Sequence, residues 1–360
     1  MKKLIALLLM LVLSISVCSA AFAETETLNT FENLSYEELV EYYLAEANDV
    51  VVTDTHVIFT DNSGRGEISI EKNPENTAIM YGSLACLWYE AGGTAYMTVG
   101  GTSIPLYEEQ IGRDITQDEG VILAASSGSA SKWDIEAILA QKPDLIVCST
   151  AMKGYATISG PAEAVGIPVV AVEYETVQDY LKWFKVFCHI NDRAELWDEV
   201  ADKTAWEIIN LVSMVPDDME APTVASIAVY ENLKFYTSAS MNGAMIRELG
   251  AVNIADLSFD EGASSVEFNL EDLYAADPDI IFLVETDRTG ELVKNTLEEL
   301  EKNPVWNALS AVKNGKIYVL EMGIYLNRPN HRFDEAYSGI AQYLYPDVDF
   351  AVSETPVETN

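Results

Sequence analysis

A fifteen-residue pattern that occurs twice constrains the fold of this chain more than any other feature. The first copy runs from Trp133 to Val147, and the second, 135 residues later, from Phe268 to Phe282. In each copy a Glu opens a short amphipathic helix, a Pro-Asp pair ends it, and a wholly apolar run follows. An apolar run without alternation is typical of a strand buried on both faces of a parallel sheet. The repeat therefore predicts two similar α/β lobes with a ligand-binding cleft between them.

Strand and helix patterns alternate through both halves, and helices between parallel strands require right-handed crossovers. This predicts a doubly wound open sheet in each lobe, and the chain is long enough for two domains, each with its own core. Between them, one apolar face at helical spacing follows a start at Asp192 that resembles a capping box and continues to Pro216. The predicted divisions are a leader (1–23), an acidic segment (24–50), a first lobe (51–175), a linking helical region (176–216), a second lobe (217–348) and a disordered tail (349–360).

The first 23 residues have the pattern of an export signal. Lys2 and Lys3 precede an apolar run over residues 4–17, and Ala21-Phe22-Ala23 forms a small-x-small cleavage site. That run is too short to span a bilayer comfortably, and nothing later resembles a transmembrane helix. We therefore expect an extracytoplasmic protein. Cys18 offers a second route, cleavage ahead of a lipidated cysteine, although Val17 is not the small residue that lipoprotein signals carry there.

Charge and cysteine usage exclude several classes of partner and site. The chain has 58 acidic and 21 basic residues, a net charge of −37, so nucleic acid and anionic lipid are repelled. The acidic residues are spread over predicted helices, which indicates a solvated surface. Without the leader an odd set of three cysteines remains, Cys86, Cys148 and Cys188, with no CxxC pair. This argues against a disulfide framework or a zinc ribbon and favours buried thiols.

Four segments, taken together and in order, resemble signatures of the substrate-binding proteins of ABC importers, in the branch that binds ferric siderophores, haem and cobalamin. These segments are Phe59-Thr60-Asp61-Asn62-Ser63-Gly64-Arg65, Leu87-Trp88-Tyr89-Glu90-Ala91-Gly92, Asp134 to Val147, and Asn303-Pro304-Val305-Trp306 followed by Ala311 to Tyr318. The resemblance implies two Rossmann-like lobes joined by one long backbone helix. It also implies a monomer with no intrinsic cofactor that works with an ABC permease and its ATPase subunits.

The resemblance also assigns a role to one glutamate in each repeat copy. In the family, a Glu on each lobe meets arginines of the permease, and the matching positions here are Glu136 and Glu271, each seven residues before its Pro-Asp. Charge pairs at a rim guide docking and register more than they add affinity. The alternative is that a Glu in a first helical turn only favours the helix dipole.

Ligands of open α/β sheets bind beyond the carboxyl ends of the strands, and the loops predicted there gather Tyr and Ser with four cations. The candidate ligand-binding residues are Ser83, Lys153, Tyr155, Tyr236, Arg288, Tyr325, Arg328 and Arg332. The cations could focus a positive potential on an anionic ligand, such as a ferric siderophore or a porphyrin with propionates. The alternative is ordinary salt bridging with the abundant carboxylates, and Arg332 could brace the last helix.

Tyr155 is the single residue that the resemblance places most specifically. It falls where siderophore-binding relatives have a cleft Tyr, in the loop after the Pro-Asp strand, and an aromatic ring gives rigid contact to a large ligand. The alternative is a Tyr that packs the loop. Where relatives use an Arg before the first repeat helix, this chain has small residues around Ser127 to Ser131, which argues against a hydroxamate siderophore.

Other classes of function have weaker support. The three histidines, His56, His189 and His331, are too dispersed to form a bare metal site. A haem ligand remains open through His331, Tyr325, Tyr155 or Met152. The chain has no G-x-S-x-G elbow, Walker loop or G-x-G-x-x-G turn, so an enzyme is not expected. An adhesion module would have no pocket. We therefore predict a protein that captures a ferric siderophore, with haem or a corrinoid as the alternative and a metal oxyanion as a further possibility.

Overall fold

The computed structural model describes residues 34–126, 133–216, 219–257 and 262–350, and these residues form two α/β lobes. The predicted fold class is confirmed. The leader, Cys18, the beginning of the acidic segment, the small residues from Ser127 to Ser131 and the tail from residue 351 lie outside the described ranges. No helix within those ranges is both long enough and apolar enough to cross a bilayer.

A small antiparallel unit precedes the first lobe. Its elements are α1 (Tyr36–Asn48), β1 (Val51–Val52), β2 (His56–Thr60) and β3 (Glu67–Glu71), with the three strands paired in that order. A capping box starts α1, because Ser35 and Glu38 exchange side-chain and backbone hydrogen bonds. Strand β3, in which Ile68 and Ile70 alternate with polar residues, was not predicted from the sequence.

The first lobe is built on a wholly parallel five-stranded sheet of order β6-β5-β4-β7-β8. Its elements are β4 (Thr77–Ile79), α2 (Gly82–Glu90), β5 (Met97–Val99), α3 (Ile104–Gln110), β6 (Ile122–Ala125), α4 (Ile135–Ala140), β7 (Leu145–Ser149), α5 (Lys153–Ala164) and β8 (Val169–Val172). The chain proceeds from β4 to one edge and from β7 to the other. The switch point therefore lies between β4 and β7, where doubly wound sheets bind their ligands.

Two helices, α6 (Val177–Ile190) and α7 (Ala194–Ser213), connect the lobes. The predicted long helix is α7, about 30 Å over its twenty residues. The predicted capping box at its start is wrong: Asp192 is left-handed (φ 54°) and separates the two helices, and Arg193 precedes α7 without a side-chain cap. The capping box lies instead at the start of α6, between Thr176 and Asp179.

The second lobe has a mixed sheet of order β12-β10-β9-β13-β14, with β11 beside the start of β9. Strands β9, β13 and β14 are parallel, whereas β10 and β12 form an antiparallel edge that the sequence interpretation did not include. The elements are β9 (Thr223–Val229), β10 (Lys234–Tyr236), α8 (Met241–Glu248), β11 (Val252–Asn253), β12 (Ser265–Glu267), α9 (Leu270–Ala276), β13 (Ile280–Glu285), α10 (Glu291–Leu300), α11 (Ser310–Lys313), β14 (Ile317–Leu320), α12 (Met322–Tyr325) and α13 (Phe333–Leu344).

The Pro-Asp pair of each repeat copy performs the same structural task. The residues before the prolines, Lys142 and Asp277, are both left-handed (φ 52° and 42°), the conformation in which helices commonly end. The following aspartates then bind the start of the neighbouring strand. Asp144 accepts from the backbone N–H of Asn76 (3.0 Å), and Asp279 accepts from that of Thr223 (2.9 Å). The repeated signature therefore sets strand register in both lobes.

The two lobes share one apolar core in addition to a private core on each sheet. The shared core continues from the first lobe through the connecting helices into the second, and includes Leu84, Phe184, Ile208, Met245 and Ile340. Each private core covers the opposite face of one sheet and is smaller. The lobes are therefore less independent than two domains with separate cores.

A buried carboxylate lies inside the shared core. Glu248, at the end of α8, is 1% exposed and accepts hydrogen bonds from the phenols of Tyr43 (3.1 Å) on α1 and Tyr337 on α13. Burial raises the pKa of Glu248, and the hydrogen bonds from the two phenols oppose this effect. Three helices that are distant in sequence are joined at this one side chain.

Removing one of these phenol donors will destabilise the shared core. We expect Tyr337→Phe to lower the free energy of unfolding by about 1–3 kcal/mol, because the buried Oε2 of Glu248 loses one of the two phenol hydrogen bonds that it accepts. Urea unfolding measures the change. Tyr274→Phe is the matched control, since that side chain is 51% exposed, and its loss should be within about 0.5 kcal/mol. Equal stability of the two variants would contradict a structural role for this hydrogen bond.

Candidate functional site

A cleft of about 490 Å³ lies between the lobes at the carboxyl ends of their central strands. The first lobe contributes Tyr81 and Ser83 after β4, and Ser149 at the end of β7. The second lobe contributes Tyr230 after β9 and Thr286 after β13. The cleft therefore opens at the switch point of the first sheet, and its volume is within the range of small-ligand sites.

Half of the residues that line the cleft carry hydroxyl groups. Twelve of the twenty-four are Ser, Thr or Tyr: Tyr81, Ser83, Thr102, Ser103, Ser149, Tyr230, Tyr236, Ser240, Ser264, Ser265, Thr286 and Tyr325. Glu175 is the only carboxylate among these described lining residues, and Lys234 and Arg328 are the cations. In a chain of net charge −37, this lining is depleted of negative charge. The hydroxyls of Ser83, Ser240, Thr286 and Tyr325 already donate to backbone carbonyls, so the other eight hydroxyl groups are the ones that can donate to a ligand.

Arg328 lines the cleft but is already paired. Its guanidinium forms an ion pair with Glu175 of the first lobe and donates from Nε to the carbonyl of Tyr174 (2.7 Å). Burial raises the pKa of the Glu175 carboxyl, and the adjacent Arg328 opposes that shift. The only carboxylate of the described lining is thus neutralised across the lobes.

Neutral hydrogen bonds also join the two lobes along residues 327–330, which we call the seam. Ser83 donates to the carbonyl of Asn327 (2.6 Å), and Gln110 donates to that of Arg328 (2.9 Å). The side chain of Asn330, fully buried and left-handed (φ 52°), donates to Gln110 (2.7 Å) and accepts from Tyr174 (3.1 Å). The seam therefore holds the second lobe against the first at the inner side of the cleft.

Arg288 and Arg332 meet a first-lobe carboxylate rather than the cleft. Both guanidiniums bind Glu109 on α3, at 3.1 Å and 3.0 Å, and Arg332 also binds Glu335 at 2.8 Å. The alternative interpretation of these arginines, salt bridging with neighbouring carboxylates, describes the geometry of both. Arg332 also braces the start of α13.

The second-lobe wall combines two tyrosines with a lysine. The phenol oxygens of Tyr230 and Tyr236 are 3.2 Å apart. Lys234 lies two residues before Tyr236 on β10, so the two side chains share one face of the strand. Lys234 is exposed and makes no hydrogen bond or ion pair with the residues that the structure describes. It is therefore the cation of this lining that is available to a ligand.

The structure gathers four of the eight candidate ligand-binding residues at the cleft. Ser83, Tyr236, Tyr325 and Arg328 are part of its lining, whereas Lys153, Tyr155, Arg288 and Arg332 are outside it. The expectation of a loop after β7 is corrected, because α5 begins at Lys153 and includes Tyr155. Tyr155 packs against the private core of the first lobe. A ligand role for any of the eight stays a prediction.

Lys234 and Tyr230 were not among the candidates. Lys234 was missed because β10 is only three residues long and the sequence around it has no clear strand pattern. The alternation Lys234, Phe235, Tyr236 was the available signal, since Phe235 is buried in the second lobe's private core.

The candidate haem ligands lie in different parts of the structure, and only some of them line the cleft. Met152 lines the cleft, and Tyr325 does so too, but its hydroxyl donates to the carbonyl of Ala336 (3.3 Å) in α13. His331 lies 3.5 Å from Glu90, whose hydrogen bond raises the pKa of the imidazole. Within the described ranges, no group of three or more His, Cys, Asp and Glu side chains is arranged to hold a metal ion.

Glu136 and Glu271 occupy equivalent, exposed positions on the two lobes. Each is in the first turn of its repeat helix, α4 or α9, and the residues that cap these helices are also equivalent, Asp134 and Asn269. Both glutamate side chains are free to meet a partner or to interact with the helix dipole. The geometry is compatible with both interpretations.

A second cavity, of about 940 Å³, lies at the opposite edge of the first sheet. It is lined by His56, Lys72, Lys142 and Asp144, beside Leu145, where β7 begins. Ligands of open α/β sheets bind at the carboxyl ends of strands, and this cavity lies at the amino ends. The cleft between the lobes is therefore the better candidate, although it is smaller.

A family model for periplasmic binding proteins matches residues 108–322 of this chain. The chain belongs to this family. The predicted resemblance is thereby confirmed, and the periplasmic binding proteins are a family of binding proteins rather than enzymes.

Two relatives of this binding protein have names that refer to iron. The Fe(3+)-citrate-binding protein YfmC of Bacillus subtilis (strain 168) is 27% identical over 197 residues, 54% of this chain and 58% of that protein. The Iron-uptake system-binding protein of the same organism is 24% identical over 200 residues, 54% of this chain and 61% of that protein. This chain therefore spans about three fifths of the length of the relatives that it matches.

Solved structures show the same fold. The triscatecholate siderophore binding protein FeuA from Bacillus subtilis, complexed with Ferri-Bacillibactin, has a TM-score of 0.60 at 18% identity and covers 80% of this chain and 98% of its own. IsdE of S. aureus, complexed with heme, has a TM-score of 0.62 at 16% identity and covers 75% and 98%. At these identities the similarity concerns the fold alone.

A substitution of Arg328 tests whether this arginine stabilises the protein by neutralising the Glu175 carboxylate. We expect Arg328→Met to lower the free energy of unfolding by roughly 2–4 kcal/mol at neutral pH, because Glu175 is left without its counter-ion. A carboxyl whose folded-state pKa is raised contributes its stability in full below the unfolded pKa and loses it as pH rises. The loss should therefore be larger at pH 8 than at pH 5.

Urea unfolding at the two pH values measures this difference. The control is the double variant Arg328→Met with Glu175→Gln, which removes both charges and should recover most of the stability at pH 8. A loss that is the same at both pH values would show that Arg328 acts through packing and not through Glu175.

Proposed function

We propose that this protein is the extracytoplasmic solute-binding component of an ABC importer, and that it captures an anionic ferric chelate of the siderophore class in the cleft. The observation that carries the proposal is the chemistry of the lining. Hydroxyl groups and the unpaired Lys234 face the cleft, while the only carboxylate of the described lining is paired with Arg328.

The lining fits the outer surface of such a chelate. Fe³⁺ in its carboxylate, catecholate or hydroxamate complexes is enclosed by oxygen atoms, several of which accept hydrogen bonds and carry negative charge. Serine, threonine and tyrosine hydroxyls donate to such oxygens, and an ammonium group adds a charge-assisted bond. A relative named for Fe(3+)-citrate and a structural neighbour with a ferric siderophore support the same class of ligand.

Haem or a corrinoid is the second candidate, favoured by one specific observation. Met152, Met241 and Met322 line the cleft and give it an apolar, polarisable part. A thioether can ligate haem iron, and a flat macrocycle would cover these side chains. A structural neighbour is described as a complex with heme. The hydroxyl-bearing residues that make up half of the lining make this the weaker candidate.

The remaining parts of the proposal concern location and assembly. The leader would direct export, with cleavage after Ala23 or lipidation at Cys18 as the two routes. The metal would enter and leave as part of the ligand, so the protein itself needs no cofactor. The protein would act as a monomer and meet the permease with its exposed lobe ends.

A binding panel tests the ligand class. The mature protein is titrated with ferric citrate, a ferric catecholate, a ferric hydroxamate, haemin and cobinamide, with tryptophan fluorescence and absorption as readouts. We expect saturable one-to-one binding of one anionic ferric chelate. Lys234→Gln should weaken that binding about tenfold or more, because a charge-assisted hydrogen bond is lost.

Matched variants separate the candidate cations. Lys294→Gln changes the same charge on an exposed part of α10 and should leave affinity unchanged. Lys153→Gln tests the predicted ligand role of that residue. We expect it to change the affinity for the ligand by less than about twofold. Binding of haemin alone would replace the chelate by the second candidate, and no binding across the panel would contradict both.

We further propose that Glu136 and Glu271 dock the loaded protein on the permease. Their equivalence in the repeat, their exposure and their position on opposite lobes support a two-point contact with basic residues. Such a contact would orient the cleft toward the permease without touching the ligand.

Charge reversal tests the docking contact. The double variant Glu136→Lys and Glu271→Lys should abolish uptake of the ligand by cells while its affinity for the isolated protein stays within about twofold. Glu119→Lys with Glu301→Lys, two exposed glutamates elsewhere on the lobes, changes the net charge equally and should leave uptake intact. Normal uptake by the first variant would contradict the docking proposal.

A further inference from the structure

One first-lobe carboxylate is held by two second-lobe arginines outside the cleft lining. Glu109, in the last turn of α3, receives Arg288 at Oε2 (3.1 Å) and Arg332 at Oε1 (3.0 Å). Arg288 follows β13 and Arg332 precedes α13, so two separate segments of the second lobe converge on one side chain of the first.

The second lobe also leaves space for this carboxylate. A Cβ atom added at Gly323, in α12, would lie 2.5 Å from Oε1 and 3.0 Å from Oε2 of Glu109. These distances are shorter than non-bonded contacts allow, so any other residue at position 323 would displace the glutamate. A glycine and two arginines from three segments thus form a receptor for Glu109.

The contact of Glu109 with the two arginines differs from the seam in its charge and its exposure to solvent. Apart from the Arg328–Glu175 pair, the seam is made of neutral hydrogen bonds from Ser83, Gln110 and the fully buried Asn330, which salt does not weaken. The side chains of Glu109, Arg288 and Arg332 remain 27–31% exposed, and ion pairs at that exposure are screened by salt. The lobes are therefore joined by neutral hydrogen bonds, by the Arg328–Glu175 ion pair (side chains 14% and 29% exposed) and by the Glu109 contact, which is the most exposed of the three and so responds most to ionic strength.

We propose that Glu109, bound between Arg288 and Arg332, is a latch that sets how far the lobes separate beside the cleft. While the latch is closed, the lobes keep the spacing seen here. When it opens, the second lobe pivots about the seam and the connecting helices, and the cleft widens.

The first experiment needs no ligand. Spin labels are attached at Gln141→Cys on the first lobe and Glu298→Cys on the second, both exposed, whereas the described cysteines, Cys86, Cys148 and Cys188, are buried. Distance distributions are recorded at low and high salt. We expect Glu109→Gln to broaden the distribution toward longer distances at low salt and to remove the salt response that the unmodified latch shows.

The neighbouring residue provides the matched control. Glu108 is exposed, lies on the same helix and makes no ion pair with the described residues, so Glu108→Gln should leave the distribution and its salt response unchanged. Gly323→Ala provides an independent test, because it displaces Glu109 by steric contact and retains all three charges. It should reproduce the effect of Glu109→Gln.

A second readout rests on the proposed function. If a ferric chelate binds in the cleft, Glu109→Gln should accelerate its dissociation about three- to tenfold, measured by stopped-flow displacement, whereas Glu108→Gln should not.

Unchanged distances in both Glu109→Gln and Gly323→Ala would overturn the latch. Tighter chelate binding by Glu109→Gln would also overturn it, because the arginines would then be ligand groups that Glu109 competes for. A failed binding panel leaves the distance measurement intact.

Discussion

The shared apolar core is the constraint on which the rest of this molecule depends. Because α1, α6, α7, α8 and α13 bury their apolar faces in one continuous core, the two sheets cannot rotate freely about a hinge. The buried carboxylate of Glu248 reinforces this by holding three of these helices at one point. A cleft that must accept a ligand therefore has to open by small displacements at its outer side, where the lobes meet through charged side chains.

The lining of the cleft is low in unpaired negative charge rather than rich in positive charge. Of three arginines near it, one neutralises Glu175 at the inner wall and two are bound by Glu109. Among the polar groups of the described lining, hydroxyl groups and Lys234 remain available to a ligand. Such a surface distinguishes ligands by the positions of their oxygen atoms, and a single ammonium group then favours those that carry negative charge.

The repeated signature made the two-lobe fold predictable, because its helix caps, its Pro-Asp pair and its buried strand act through local physics in both copies. The site was less predictable. Strand-end reasoning placed Ser83 and Tyr236 at the cleft, but it could not tell that Arg288 and Arg332 meet Glu109, since such pairs depend on the distance between lobes. Lys234 was missed because β10 is short and is positioned by pairing with β9 and β12, not by its own sequence.

The acidic exterior has a consequence for how quickly this cleft can be filled. A small anion that approaches a body of net charge −37 is repelled over about one Debye length before it reaches the neutral or cationic lining. Dissolved salt shortens that range. Capture of an anion should therefore become faster as the medium becomes more saline, the reverse of the usual electrostatic steering.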